Sequence, residues 1–177
     1  MGSKNTIDTA NLSQEEIKSL AVSLLGKIEK SKNGLGKDLF NAIARLTVML
    51  CFEVVCLRKN SATNQTEVYL IKRAPDETSY PGQWHIPGSV MRPGEEIEDV
   101  LLRLSQKEIG LEIMSKKFIF HVNYPKEPRG HFFSLIYLCQ LSKEPGKGKW
   151  FAVNQLPENI IEPHRTLVIP KAITFFN

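Results

Sequence analysis

Four acids, Glu95, Glu96, Glu98 and Asp99, crowd the start of a short helical stretch, and Arg103, Lys107 and Glu108 follow before Gly110. Carboxylate oxygens are the ligands that hard divalent cations take, while Arg and Lys pair with carboxylates and phosphates. Chemistry is therefore sought here first. The bland alternative is a well-started helix, because acids in a first turn are favoured by the positive end of the helix dipole. Pro87, Gly88, Pro93 and Gly94 punctuate the loop ahead of it, so a helix is expected to begin near Glu95. Gly110, the residue type that most readily takes a left-handed C-cap, closes it after about four turns at most.

Spacing and residue types together resemble the Nudix box of the Nudix hydrolases: Gly, five residues, Glu, seven residues, then Arg-Glu-apolar-any-Glu-Glu-any-Gly-apolar. Glu95, Arg103, Glu108, Gly110 and Leu111 stand where that pattern expects them. Ser89, Leu104, Ser105 and Lys107 replace a glycine, a glutamate, an apolar residue and a second glutamate. The run Val68 to Arg73, Trp84 ahead of Pro87-Gly88, Lys149-Trp150-Phe151, Leu156-Pro157 and His164 also look like the box's usual surroundings. The resemblance covers about residues 46 to 177 and leaves the first 45 as a helical extension and linker. It implies an α+β fold, an α/β/α sandwich with a mixed sheet.

The activity so implied is hydrolysis of a phosphoanhydride in a nucleoside diphosphate linked to another group, with Mg²⁺ or Mn²⁺ held by box glutamates. Carried over residue by residue, Glu108 and Glu95 become the metal ligands and, with Arg103 as orienter of a glutamate, the catalytic set. Arg73, Lys107 and Trp84 are the candidate substrate contacts, for a small nucleotide-type diphosphate. The three glutamate positions hold Leu104, Lys107 and Glu108, so their formal charge changes from minus three to zero. A unit-charge pair at about 4 Å is worth roughly 4 kcal/mol at an effective dielectric near 20, before screening and desolvation. Since about 1.4 kcal/mol is a factor of ten, metal binding is expected to weaken by orders of magnitude. Two readings stay open: a hydrolase with a weak or non-standard metal site, and a catalytically silent Nudix-shaped nucleotide-binding or regulatory module. Glu96 and Glu112 are substitute ligands, and Lys107 could meet a phosphate directly.

On a helical wheel Val100, Leu101, Leu104 and Leu111 form an apolar arc that also contains Glu108. Glu108 either escapes to solvent beyond the helix end or faces the cleft. Arg103 and Asp99, four apart on the polar face, read as an exposed ion pair. The four histidines show no metal-binding spacing, and His131 or His164 is left as a candidate base. Trp84 and Trp150 read more readily as packing residues than as stacking platforms.

The elements that must hold this stretch follow from periodicity. Ser13 and Glu16 form a capping box for an amphipathic helix over 13–30, whose apolar face needs cover from the domain or from a second copy of the chain, a homodimer. A linker over 31–37 and a short helix from Asp38 to Ala44 come next. Leu46–Leu57 and Val68–Ile71 read as a hairpin, and Phe118–Asn123 with Phe132–Leu141 as two further strands. The apolar stretch from Ala172 to Phe176 has no assignment.

With 177 residues, 42% apolar and 24% charged, the composition is globular. Cys51, Cys56 and Cys139 lie in apolar runs without CxxC spacing and read as reduced, buried thiols. No apolar run is long enough to span a bilayer, and a cytoplasmic protein is expected. A net charge of +4 without aromatic-basic clustering argues against a nucleic-acid partner.

Overall fold

The computed structural model describes residues 8–28, 35–142 and 146–176. Residues 1–36 and 37–177 form two compact units. In the first, α1 spans Gln14–Leu25 and starts on the expected capping box: the Glu16 amide donates to Ser13 Oγ at 3.3 Å, and the Ser13 amide donates to Glu16 Oε2 at 2.8 Å. The helix stops before residue 30 because Gly26, a poor helix former, supplies the C-cap. Residues 29 and 30, and most of the expected linker, lie outside the described residues. No residue of α1 is buried.

The second unit begins with α2, Lys37–Ala44. A mixed sheet follows, built from β1 (Val48–Lys59), β2 (Thr66–Lys72), β3 (Trp84–His85), β4 (Gly88–Val90), β5 (Ile113–Glu127), β6 (Gly130–Leu141) and β7 (Lys149–Ala152). The order along its main path is β3-β2-β1-β6-β5, with β4 on β1 and β7 on β2. Only β1 and β6 run parallel among these pairs. The expected β1–β2 hairpin forms, with Leu57 opposite Val68. β5 and β6 are longer than their apolar runs suggest, since the hydrogen-bonded ladder continues through polar residues to Glu127 opposite Gly130. A Cβ on Gly130 would lie 2.0 Å from the Ala44 carbonyl oxygen, so the end of α2 can approach this turn only because residue 130 has no side chain.

Strand alternation divides the interior into two layers. Phe52, Val54 and Cys56 of β1 pack with Val100, Leu101, Leu104 and Ile109 on one face. Val55 and Leu57 pack with Ile136, Val168, Ile169 and Ala172 on the other. The helix expected from Glu95 to Gly110 is two segments: α3, Ile97–Arg103, and a π-helical turn, Leu104–Ile109. Gly110 takes φ +75° and its amide donates to the Ser105 carbonyl at 2.8 Å, closing the wider turn. A second π-helical turn, His164–Val168, leads into α4, Ile169–Ile173, which accounts for part of the unassigned C-terminal stretch. No helix among the described residues is long and apolar enough to cross a membrane.

Candidate functional site

The loop and helix around Glu95 form a closed clamp. Arg103 reaches back across the loop, with Nε donating to Glu95 Oε1 at 2.8 Å and Nη2 to Glu95 Oε2 at 2.7 Å. The same guanidinium donates to Ser89 Oγ and, at 3.0 Å, to the Val90 carbonyl. Glu95 Oε2 also accepts from the Arg92 amide at 2.8 Å. Those hydrogen bonds, Arg103's foremost, hold the Glu95 carboxyl below the usual carboxylate range. The expected Arg103–Asp99 pair does not form. Asp99 instead accepts from the Glu96 amide at 2.9 Å, an N-terminal cap, because the loop folds Glu95 into Arg103's reach. Ser89, which stands where the box has glycine, is one of the clamp's acceptors.

Beyond Arg103 the chain departs from a metal-binding helix. Leu104 is fully buried against the sheet, while Lys107 and Glu108 are exposed on the π-helical turn. The wheel places Glu108 in the apolar arc because it assumes an ideal helix throughout. The wider turn rotates Glu108 out to solvent and keeps Ile109 in the core. Lys107 contributes its carbonyl to Lys147 Nζ at 2.7 Å. The geometry does not assemble the donors a magnesium ion needs. Glu95 has both oxygens engaged, Leu104 offers none, Lys107 is cationic, and among the described residues no three His, Cys, Asp or Glu side chains converge.

The remaining candidates lie on the strands. Arg73 follows β2 and pairs with Glu77 at 3.3 Å, leaving its buried Nε without a partner. Trp84 packs edge-to-face on Phe151 with ring centroids 4.9 Å apart, which is the packing reading of that residue. His131 Nε2 lies 2.6 Å from Asn123 Oδ1.

His164 belongs to a second polar site, on the α4 face of the sheet. Glu53, the one charge in the apolar run Leu46–Leu57, is buried there among polar neighbours. Its Oε1 accepts from Ser134 Oγ at 2.8 Å, its Oε2 lies 3.6 Å from His164 Nε2, and that oxygen has no hydrogen-bond partner. Gly88 makes room for it, since a Cβ at 88 would stand 3.2 Å from Glu53 Cγ. Burial pushes the Glu53 carboxyl up to about 7, against the opposing hydrogen bond from Ser134. The Ile86 amide donates to His164 Nδ1 at 3.1 Å, so the ring proton sits on Nε2 and points toward Glu53. Burial brings His164 down to about 3, so it is neutral and no base in its own right. His85 gives its Nδ1 proton to the Ile86 carbonyl at 2.7 Å, and burial lowers it to about 4. The Tyr124 hydroxyl lies beside Glu53 but outside normal hydrogen-bonding geometry. Glu53 is legible in the sequence only as a charge interrupting an apolar run, and nothing in its neighbourhood along the chain identifies Ser134 or His164 as its companions.

Comparison with known proteins bears on the family and the fold. Residues 51–170 match the family model described as NUDIX domain. A nucleoside triphosphatase NudI from Escherichia fergusonii is 39% identical over 54 residues, covering 30% of this chain and 38% of that protein. The matched stretch thus spans well under half of that relative. A MutT/nudix family protein from Enterococcus faecalis superposes with a TM-score of 0.61 at 19% identity, over 93% of this chain and 74% of that one. The NUDIX domain of Shewanella oneidensis NrtR, solved with ADP ribose, gives 0.60 at 17% identity, over 88% and 98%. At such identities these structures establish the fold alone.

Proposed function

The chain belongs to the NUDIX family, and from that premise we propose that it binds a nucleoside-diphosphate-type ligand while hydrolysing it weakly or not at all. One observation carries this reading: the helix that would offer three carboxylates instead offers a buried Leu104, an exposed Lys107 and an exposed Glu108, with Glu95 already consumed by Arg103. A cation next to Lys107 meets repulsion where the family pattern supplies attraction. The clamp keeps the loop's shape, so a ligand-holding frame can persist without the metal.

The hydrolase reading is favoured by one separate fact, the 54-residue likeness to a protein named as a nucleoside triphosphatase. On that reading Glu108 is the remaining acid on the helix and Arg103 holds Glu95 in place. ADP-ribose, nucleotide sugars, dinucleotides and nucleoside triphosphates, each with Mg²⁺ or Mn²⁺, separate the two. The binding reading expects nucleotide-induced thermal stabilisation and no product above a Glu108→Gln control. Turnover that Glu108→Gln abolishes overturns it in favour of the hydrolase. Neither stabilisation nor turnover removes both.

A further inference from the structure

A sheet built from apolar strands needs cover on both faces, and on one of them α3 with its π-helical turn reaches only part of the way. It buries Val54 and Cys56 of β1 with Tyr137 and Cys139 of β6. Strand alternation carries the same face further along both strands. The register between β1 and β6 runs unbroken from Val48 to Cys56, so Val48 and Leu50 share the face of Phe52 and Val54. Beside Leu50 stands Phe133, and beside Phe52 stands Leu135. On the edge strand β5, Asn123, His121 and Phe118 lie opposite Phe133, Leu135 and Tyr137. These rows are open to water. Val48 is 58% exposed, Leu50 36% and Phe118 48%, with Phe133 and Leu135 half-buried between them. Single exposed apolar residues are ordinary, but a patch continuous over three adjacent strands marks a contact surface.

Charge decides what can cover it. None of the side chains in the rows from Val48 to Phe118 is an Asp, Glu, Lys or Arg. Their polar groups are engaged locally: His131 Nε2 lies 2.6 Å from Asn123 Oδ1, and the His121 ring stacks on Phe133 with centroids 5.0 Å apart. At the margin, Lys116 pairs with Glu98 at 2.6 Å. A strongly charged partner therefore finds no opposite charge to meet. An identical face meets no like charge, in a chain whose net charge of +4 otherwise opposes self-association. Area sets the strength. From the exposed fractions, the apolar side chains offer on the order of 300 Å², and since an interface is a little over half apolar, each copy would bury about 500–600 Å². That falls below the roughly 800 Å² per partner of a standard stable complex, in the range of weak, reversible association.

We propose that a second copy of the chain covers this face, the two sheets packing about a twofold axis as a weak dimer with the rows of Leu50, Phe133 and Leu135 at its centre. The dimer is independent of whether a nucleotide is bound or hydrolysed. Two aligned sheets pack about 10 Å apart with their apolar side chains interdigitated, an arrangement that a broad, uncharged strand surface permits. Light scattering on the whole chain tests it: the mass should rise from one chain towards two between about 1 and 100 µM. Across a twofold axis every substitution acts on both sides, so Val48→Glu and Phe118→Lys should each weaken association by at least about 30-fold, with circular dichroism and Tm at wild-type values. Each variant alone decides the matter if the other does not fold. Leu24→Glu, at an exposed apolar position of α1, is the comparison and should leave the dimer unchanged. A chain still monomeric at about 100 µM overturns the proposal, as does a dimer that Val48→Glu and Phe118→Lys leave at wild-type strength. A dimer lost in Leu24→Glu and kept in the other two places the contact on α1 and overturns it as well.

Discussion

Glu95 and Glu53 are both shielded glutamates near the same Gly/Pro loop, yet one is held below the ordinary carboxylate range and the other is raised to about 7. The difference lies in the partners that each burial provides. Glu95 receives a two-pronged guanidinium and a backbone amide, so its charge is neutralised where it sits. Glu53 receives one hydroxyl, with neutral histidines alongside, so desolvation dominates. On the α3 side, charge serves to fasten a loop. On the α4 side, a carboxylate is kept incompletely satisfied, a state that a purely structural residue has no reason to maintain.

The most disruptive way to challenge this contrast is Leu104→Glu, which restores an acid of the family pattern at a position with no exposed surface. Without a guanidinium to meet it, the new carboxylate enters the core layer, and unfolding in denaturant should show a loss of about 3–5 kcal/mol. A variant as stable as the wild type would mean that the helix can turn this position toward the loop.

The Glu53 side is tested by pH. Its folded value, about 7, lies above the ordinary 4.5, so the folded state holds the proton more tightly. That contribution is complete below about 4.5 and is lost as pH rises through about 7, amounting to about 3 kcal/mol by linkage. His85 and His164 act in the opposite sense: their folded values, about 4 and about 3, lie below 6.5, so their contribution is present above 6.5 and is lost as pH falls. Subtracting wild type from Glu53→Gln isolates the acid. The variant's unfolding free energy should gain on the wild type steadily between about pH 5 and 8. A difference flat in pH would show that Glu53 is solvated.

Arg103→Ala removes four clamp bonds at once and should cost about 2 kcal/mol, with hydrogen exchange quickening through residues 88–95 and little change around Glu53. Equal quickening at both sites would mean that the clamp and the Glu53 cluster open as one unit. The smallest effect is expected from Glu108→Gln. Being exposed, it should shift stability by less than about 0.5 kcal/mol and leave the calorimetric response to Mg²⁺ unchanged. Tight magnesium uptake that this substitution abolishes would restore the helix as a metal site.

Much of the scaffold is readable in the chain. Apolar runs mark β1, β2 and β6, the Ser13–Glu16 spacing marks the start of α1, and Gly110 marks the end of the box helix. The ring of acids and Arg103 draws attention to this loop, but spacing alone points Arg103 at the wrong partner. A four-residue separation on an ideal helix favours Asp99, and only the folded loop brings Glu95 within reach. Glu108's orientation escapes the sequence for a related reason, since a π-helical turn leaves no mark in an apolar periodicity of about 3.6 residues.

Sequence by itself determined the family outline and the electrostatic deficit of the box, because both depend on which residue types follow one another at short range. Tertiary structure alone decided that Glu53 meets Ser134, 81 positions away, and faces His164, 111 positions on. A buried carboxylate's behaviour is set by the few atoms within hydrogen-bonding distance and by the exclusion of water, and both arise only when distant strands and the C-terminal turn close around it.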